Sequence, residues 1–255
     1  MADTLIISRV ELNKSAILTT ILALLLLFSS LSGILRPESL YATAELRDAF
    51  LPNDVINLAI GLPTLLLWPG AVLFVTYNAV AYTIALTDSP FFVFYLVELA
   101  LSLVIIFLLL RAMNVSEFQR KAQEKIYEKL TGWVLLGMGL LILFRNVGIV
   151  VGMAGLTSSE IGVMAADLVS ITAWVSGGVC LLGRKTAGYR MGPAWMFQAS
   201  LLFMSLLLLM VIQPGFGAPS YSAVDFAVIG VMSLICWVPF LLQLRAIRRV
   251  LDSGG

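Results

Sequence analysis

Four polar residues interrupt long apolar stretches of this chain, and they are the residues best placed to do chemistry. Glu98, Arg145 and Asp167 are ionisable, and Asn78 is a neutral hydrogen-bonding companion. An ionisable side chain inside an apolar span is costly, so it usually faces a bundle interior or a water-filled cavity and pairs with another polar group. These four residues are therefore the candidates for binding a solute or an ion.

The four candidates lie at one depth, counted from the ends of their apolar segments that we predict to be outside. Glu98 and Asp167 each lie seven residues after the outer start of a segment. Arg145 lies seven residues, and Asn78 eight, before an outer end. At about 1.5 Å per residue, all four are roughly 10–12 Å below the outer surface. One base between two acids at one level predicts a buried cluster.

Three interpretations of this cluster stay open. It lines an outward-facing polar cavity that binds a proton, an ion or an anionic group. Alternatively, Arg145 only neutralises Asp167 or Glu98 and locks the helix packing of a non-catalytic or partner-binding membrane subunit. In the third interpretation the charges reach the membrane interface instead. Because lost hydration offsets most of the attraction within a buried ion pair, the first interpretation gains some support.

Three further residues are weaker candidates. Asn57 lies at the start of an ambiguous apolar region, and Tyr77 adjoins Asn78. Asp225 lies about three residues into the last apolar segment, where the helix dipole favours a carboxylate, so we predict a cap-like role for it.

The composition predicts an integral membrane protein. Of the 255 residues, 60% are hydrophobic and 12% are charged, whereas a soluble domain is about half apolar and about one quarter charged. This balance argues against a soluble enzyme or a disordered regulator. With a net charge of +1, it also argues against a nucleic-acid partner.

Enzyme signatures are missing from the sequence. The absence of histidine removes the commonest general base and most zinc sites. There is also no phosphate-binding loop and no nucleophile elbow. We therefore expect no catalytic residue, no metal and no cofactor, and an enzyme is the least favoured class.

A membrane-crossing helix needs roughly 20 mostly apolar residues. Lipid offers the backbone no hydrogen bonds, so such segments must be helices. Six segments meet the requirement: Ala16–Leu35, Phe91–Ala112, Trp133–Gly152, Glu160–Leu182, Pro193–Gln213 and Ser222–Leu244.

The region Val55–Leu86 is ambiguous, because Pro63 and the turn signal Trp68-Pro69-Gly70 interrupt it. It is one kinked span, a hairpin of two short spans, or a re-entrant pair. Lys and Arg concentrate in cytoplasmic loops, and the loop Arg36–Asp54 has two basic against four acidic residues. That loop is therefore predicted outside, whereas the basic loop after Ala112 is inside. An even number of crossings is then needed between them, which favours the hairpin.

The sequence thus predicts an all-α, polytopic transmembrane bundle of about eight helices with both termini cytoplasmic. Residues 1–255 form a single transmembrane domain, multi-pass in the cytoplasmic membrane, whose partners are the lipid bilayer and an unknown small solute or ion. The segment Asn114–Leu130 is predicted to be an amphipathic cytoplasmic connector helix at the lipid headgroups, or a docking site for a partner protein. Ala42-Thr43-Ala44 resembles a signal-peptidase site, and cleavage there would leave seven helices.

Several short motifs resemble an uncharacterised family of polytopic, about eight-helix membrane proteins from bacteria and archaea. The motifs are Asp54-x-x-Asn57-Leu58-x-x-Gly61-Leu62-Pro63, Trp68-Pro69-Gly70, Tyr77-Asn78-x-x-x-Tyr82, Asp167-Leu168, Leu181-Leu182-x-Arg184-x-x-x-Gly188-Tyr189, Pro193, and the stretch from Asp225 to Pro239 with Cys236. The resemblance implies eight spans and singles out Asn57, Asn78 and Asp167. It assigns no activity.

Overall fold

The computed structural model describes residues 9–61, 71–112, 119–120, 127–152, 155–216 and 221–252. In these ranges the chain forms α-helices joined by short connections, with no strand. The helices are α1 (Arg9–Leu35), α2 (Pro37–Leu40), α3 (Ala44–Ile56), α4 (Val72–Ala85), α5 (Phe92–Ala112), α6 (Glu128–Gly152), α7 (Ser158–Leu182), α8 (Thr186–Ile212) and α9 (Ala223–Asp252). A π-helical turn, Asn57–Gly61, continues α3, and a 3-10 turn, Gln213–Phe216, follows α8.

Six of these helices, α1 and α5 to α9, are long and apolar enough to cross a bilayer. They correspond to the six apolar segments and agree with the predicted all-α, multi-pass architecture. Some begin before the apolar segment, because polar turns continue the helix: α1 begins at Arg9, not Ala16, and α6 at Glu128, not Trp133. Since α4 has only 14 residues, the count of eight spans stays a prediction.

The two arms of the ambiguous region run antiparallel. The Asn53 side-chain amide donates to the Tyr82 hydroxyl at 3.1 Å. One turn further along each arm, Asn78 donates to Asn57 at 3.1 Å. A single kinked helix cannot bring these pairs together, so that alternative is wrong for the described arms, and their direction agrees with the hairpin. The predicted tip, Trp68–Gly70, lies outside the described residues.

The segment Arg36–Asp54, predicted to be a loop, is mostly helical, and the prediction is corrected here. Thr43 begins α3, because its side-chain oxygen accepts a hydrogen bond from the backbone N–H of Leu46 at 3.2 Å. Leu46, Phe50 and Asp54 then recur every four residues and are buried, the spacing of one helix face. A search for regularly spaced apolar residues misses this helix face, because one of its buried positions is occupied by the charged residue Asp54.

The short helix α4 holds the bundle together. It contributes Phe74 to an apolar cluster with α6 to α9, Tyr82 to a cluster with α3 and α5, and Val72 to a cluster with α1 and α5. Helices on several sides therefore fix the directions of the α4 side chains.

Glycines allow α6 and α7 to approach closely. A Cβ atom on Gly178 would lie 2.6 Å from the carbonyl oxygen of Gly132. The two helices run antiparallel. Further along α6, Gly139 packs against α7, and nearly two turns beyond it Arg145 donates a hydrogen bond to Asp167.

One end of the bundle gathers the loops predicted to be outside. Ser89, after α4, donates to the carbonyl oxygen of Leu40 at 3.1 Å. Ser159, at the start of α7, donates to the carboxylate of Glu45. Three of the four outer connections of the predicted topology, namely those that follow α1, α4 and α6, therefore meet.

The opposite end gathers basic connections. The Gln119 side chain donates to the Arg184 carbonyl oxygen at 3.0 Å and accepts from Thr186 at 2.8 Å. Most of the predicted connector helix Asn114–Leu130 lies outside the described residues, and its last residues belong to α6. The compartment that each end faces stays a prediction.

Candidate functional site

Arg145 on α6 and Asp167 on α7 form an ion pair, with 3.2 Å between Nη1 and Oδ2. The other Asp167 oxygen accepts a hydrogen bond from the Tyr77 hydroxyl of α4 at 2.9 Å. The same Arg145 nitrogen donates to the side-chain oxygen of Asn146 at 3.4 Å. Three helices therefore supply this group, which we call the arginine site.

The arginine site is unevenly covered by protein. The Asp167 side chain is 3% exposed, whereas that of Arg145 is 56% exposed. The buried carboxylate anchors an accessible cation, and Tyr77 reaches the carboxylate because Gly162 lets α4 lie close to α7. A Cβ atom at Gly162 would be 2.9 Å from that of Ala85.

Asn78 lies in a separate amide group. It donates to Asn57 at 3.1 Å and accepts from Asn53 at 3.3 Å. The structure thus brings Asn78 together with the weaker candidate Asn57. Because Tyr77 and Asn78 are consecutive in α4, they project from different faces of that helix, one towards α7 and the other towards α3.

Glu98 lies with neither of these groups. Its carboxylate, on α5, accepts a hydrogen bond from the Ser29 hydroxyl of α1 at 2.7 Å and is 3% exposed. The four candidates that share a predicted depth therefore lie in three separate groups. The expected cluster of Arg145 with two acids is wrong, because Arg145 pairs with Asp167 alone and Glu98 lies elsewhere.

Sequence reasoning missed Asp54, which is 1% exposed. One of its oxygens accepts from the Tyr82 hydroxyl at 2.9 Å and the other from the Tyr41 hydroxyl. Asp54 lies outside the six long apolar helices. Burial raises its pKa to about 8, although the hydrogen bonds from the two tyrosines lower it. The four-residue spacing from Leu46 was the signal that could have found it.

Asp225 has the cap-like role predicted for it. Its carboxylate accepts a hydrogen bond from the backbone N–H of Ser222 at 3.3 Å, and its own backbone N–H donates to the Ser222 hydroxyl oxygen at 3.1 Å. This reciprocal arrangement is a capping box at the start of α9.

Comparisons with protein families, curated proteins and solved structures find no match for this chain. They therefore lend no support to the eight spans or to the bacterial or archaeal origin that the motif resemblance implies. In the ranges that the structure covers, no three Asp, Glu, Cys or His residues gather as a metal site. Any function proposed for the chain therefore rests on its geometry.

A pocket of about 220 Å³, which we call the outer pocket, opens at the end of the bundle that is predicted to face outside. Its wall comes from α3, the end of α4 and the start of α7, and includes Glu45, Asp88 and Ser158. Leu40 and Leu86, which also line it, pack in the same apolar cluster as Tyr82. The pocket therefore lies next to the cluster that surrounds Asp54.

Proposed function

We propose that this chain is a multi-pass protein of the cytoplasmic membrane that handles a small solute or ion through an outward-facing polar cavity. Within that cavity, the arginine site binds an anionic group. The observation that carries the proposal is the contrast between the buried Asp167 side chain, 3% exposed, and its partner Arg145, 56% exposed, inside an apolar helix. An arginine within a span usually faces protein or a water-filled cavity.

The guanidinium group of Arg145 has donors to offer a ligand. Among the described residues, both of its hydrogen bonds use Nη1. The N–H groups of Nε and Nη2 remain, and a planar guanidinium binds carboxylate or phosphate through two parallel hydrogen bonds.

Open surface lies one turn further along α6. A Cβ atom at Gly148 would meet no atom within 4 Å. Gly148 thus makes no close helix contact in the described part of the chain, in contrast to Gly132 and Gly178. An anion beside Arg145 would meet little steric resistance from α6.

The alternative function is a non-catalytic subunit in which the same pair only locks the packing. It is favoured by the position of Asp167, which contacts Arg145 of α6 and Tyr77 of α4 from α7. Loss of one partner from such a pair leaves a buried charge uncompensated, which destabilises a protein by about 3–5 kcal/mol.

A thermal-shift experiment on the purified full-length chain tests the proposal, with chloride, phosphate, acetate and succinate as probes. A probe at about 100 times its Kd stabilises the folded state by about 2.7 kcal/mol, which raises the unfolding midpoint by about 5–10 °C for a chain of this size. We expect at least one probe to do so. We expect the double variant Arg145→Gln with Asp167→Asn, which leaves no buried charge unpaired, to fold and to lose the rise, and the exposed control Arg190→Ala to keep it.

A double variant separates binding from locking. Replacement of both charges, in Arg145→Gln with Asp167→Asn, removes the ion pair without leaving a charge unpaired, so folding survives under both functions. A rise of the midpoint that persists in this variant contradicts the anion site. If no probe stabilises the wild-type chain and Arg145→Ala fails to fold while the double variant folds, the locking function is correct.

A further inference from the structure

A second polar group lies between α1, α3, α4 and α5, and it contains two carboxylates and no base. Asp54 is 1% exposed and Glu98 is 3% exposed. Within the described chain, the polar groups that act on them are the Tyr41, Tyr82 and Ser29 hydroxyls, and Glu98 acts on Asp54. None of these groups is a cation. Unpaired buried carboxylates are costly, so this group calls for a compensating positive charge.

The Tyr95 hydroxyl is an independent sign of a ligand. Tyr95 is 2% exposed, and its ring centroid lies 4.9 Å from that of Tyr82. It is close enough to Asp54 and Glu98 to interact with the charge of both, yet its hydroxyl has no hydrogen-bond partner among the described residues. Buried polar atoms in native proteins are nearly always paired. A buried hydroxyl near two carboxylates, with no partner in the described part of the chain, points to a ligand there.

The outer pocket lies beside the apolar cluster that contains Tyr82 and Tyr95. Leu40 and Leu86 line the pocket and belong to that cluster. The pocket wall also carries the carboxylates of Glu45 and Asp88. Acidic residues at a mouth raise the local concentration of cations.

We propose that Asp54, Glu98 and the Tyr95 hydroxyl bind one small monovalent cation, a proton or a sodium ion, that arrives through the outer pocket. Oxygen ligands suit hard cations. Each Asp54 oxygen already accepts a hydrogen bond from a tyrosine, so the site is short of the roughly six oxygens that divalent cations require. A proton also compensates the buried negative charge, because it neutralises one of the two carboxylates. This cation site is independent of the arginine site.

The titration of Asp54 supports the site. The titratable groups that face Asp54 are Tyr41 after α2, Tyr82 on α4, and Tyr95 and Glu98 on α5, while α1 presents Gly33. The pKa of Asp54 in the folded chain, about 8, lies above the value of about 3.9 for an unfolded chain. The folded state therefore binds a proton that the unfolded state releases. Stability falls as the pH rises from about 4 to about 8, and sodium opposes the fall if it takes the place of the proton.

The experiment measures the thermal unfolding midpoint of the full chain in detergent, first from about pH 5 to about pH 9 in choline chloride, then at the high pH with increasing sodium chloride at constant total chloride. We expect the wild-type midpoint to fall by about 4 °C or more over the pH series. Glu98→Gln keeps a side-chain oxygen for Ser29 but removes one of the two carboxylates, and we expect it to reduce that fall measurably. The exposed acid Glu38 lies at the same end of the bundle, and Glu38→Gln serves as the matched control that retains the wild-type response.

The sodium series identifies the cation. A midpoint that sodium restores indicates a sodium site, and a pH response without a sodium response indicates a proton site.

Tyr95→Phe removes a hydroxyl that no described protein group pairs, so we expect it to fold, and to bind sodium about tenfold more weakly if the hydroxyl is a ligand. A wild-type midpoint insensitive to pH and sodium overturns the proposal, as does a response that is the same in Glu98→Gln, Tyr95→Phe and Glu38→Gln. The double variant Arg145→Gln with Asp167→Asn keeps the cation response, which separates this test from that of the anion site.

Discussion

Gly33 shows how closely single residues control the cation site. It lies on α1 where a Cβ atom would overlap the Asp54 carboxylate and the Tyr41 hydroxyl. Any larger residue must displace either α1 or the acid with its tyrosine. The position therefore requires glycine for close approach, although glycine lowers the intrinsic stability of a helix.

We expect Gly33→Ala to lower the free energy of unfolding by about 1–3 kcal/mol, the range for overpacking, and to weaken the pH dependence of the unfolding midpoint. The matched control is Gly137→Ala on α6, where a Cβ atom meets nothing within 4 Å and alanine stabilises a helix by about 0.5–1 kcal/mol. Equal midpoints for the two variants would contradict the close approach of α1 to Asp54.

The candidate residues also show what sequence can predict of a site. Residue counting along apolar segments gave a common depth, and Arg145 and Asp167 do meet. The same count could not give the rotation of each helix about its axis, so it could not tell that Glu98 faces Ser29 on α1. Depth follows from the chain alone, but direction depends on the neighbours that a helix packs against.

At the scale of elements, α3 is the feature that a search for apolar segments could not reveal. Acids, a base and Pro52 lie within it, so it does not stand out from a polar loop. Its helix signals are local: the Thr43 cap and the four-residue spacing of its buried face. The six apolar helices were predictable because length and composition suffice for a membrane span, whereas α3 forms through capping and contact with α4.

The Thr43 cap gives a prediction for this element. We expect Thr43→Ala to destabilise the folded chain by about 1 kcal/mol, because a backbone N–H of α3 loses its acceptor, whereas Thr43→Ser keeps the hydroxyl and most of the stability. Chemical unfolding in detergent measures both. If serine and alanine cost the same, the side chain does not cap the helix.

At the scale of the whole molecule, charge counting anticipated which loops share an end. The contacts of Ser89 with Leu40 and of Ser159 with Glu45 join three loops predicted to be outside, and Gln119 joins two basic connections at the other end. The charges of a single sequence are therefore enough to predict which loops lie together at each end of the bundle. Charge counting favours an even number of crossings within Val55–Leu86, but the predicted tip of that hairpin has no basic residue that would place it inside.

Cysteine labelling in intact cells tests the direction of the bundle. In a background with Cys180→Ala and Cys236→Ala, we expect a membrane-impermeant maleimide to label Asp88→Cys from outside. We expect it to label Arg190→Cys only after permeabilisation, because Arg190 lies at the basic end. The reverse pattern would invert the predicted orientation and place the outer pocket in the cytoplasm.

The position of Glu98 has an electrical consequence. It lies six residues into α5, about 9 Å along the helix, or near a third of a hydrocarbon layer about 30 Å thick. A monovalent ion that travels from the pocket to this carboxylate crosses a similar share of the membrane voltage, worth about 0.8 kcal/mol per 100 mV. With the orientation predicted above, a negative interior draws the ion inward, so occupancy rises as the cell becomes more polarised.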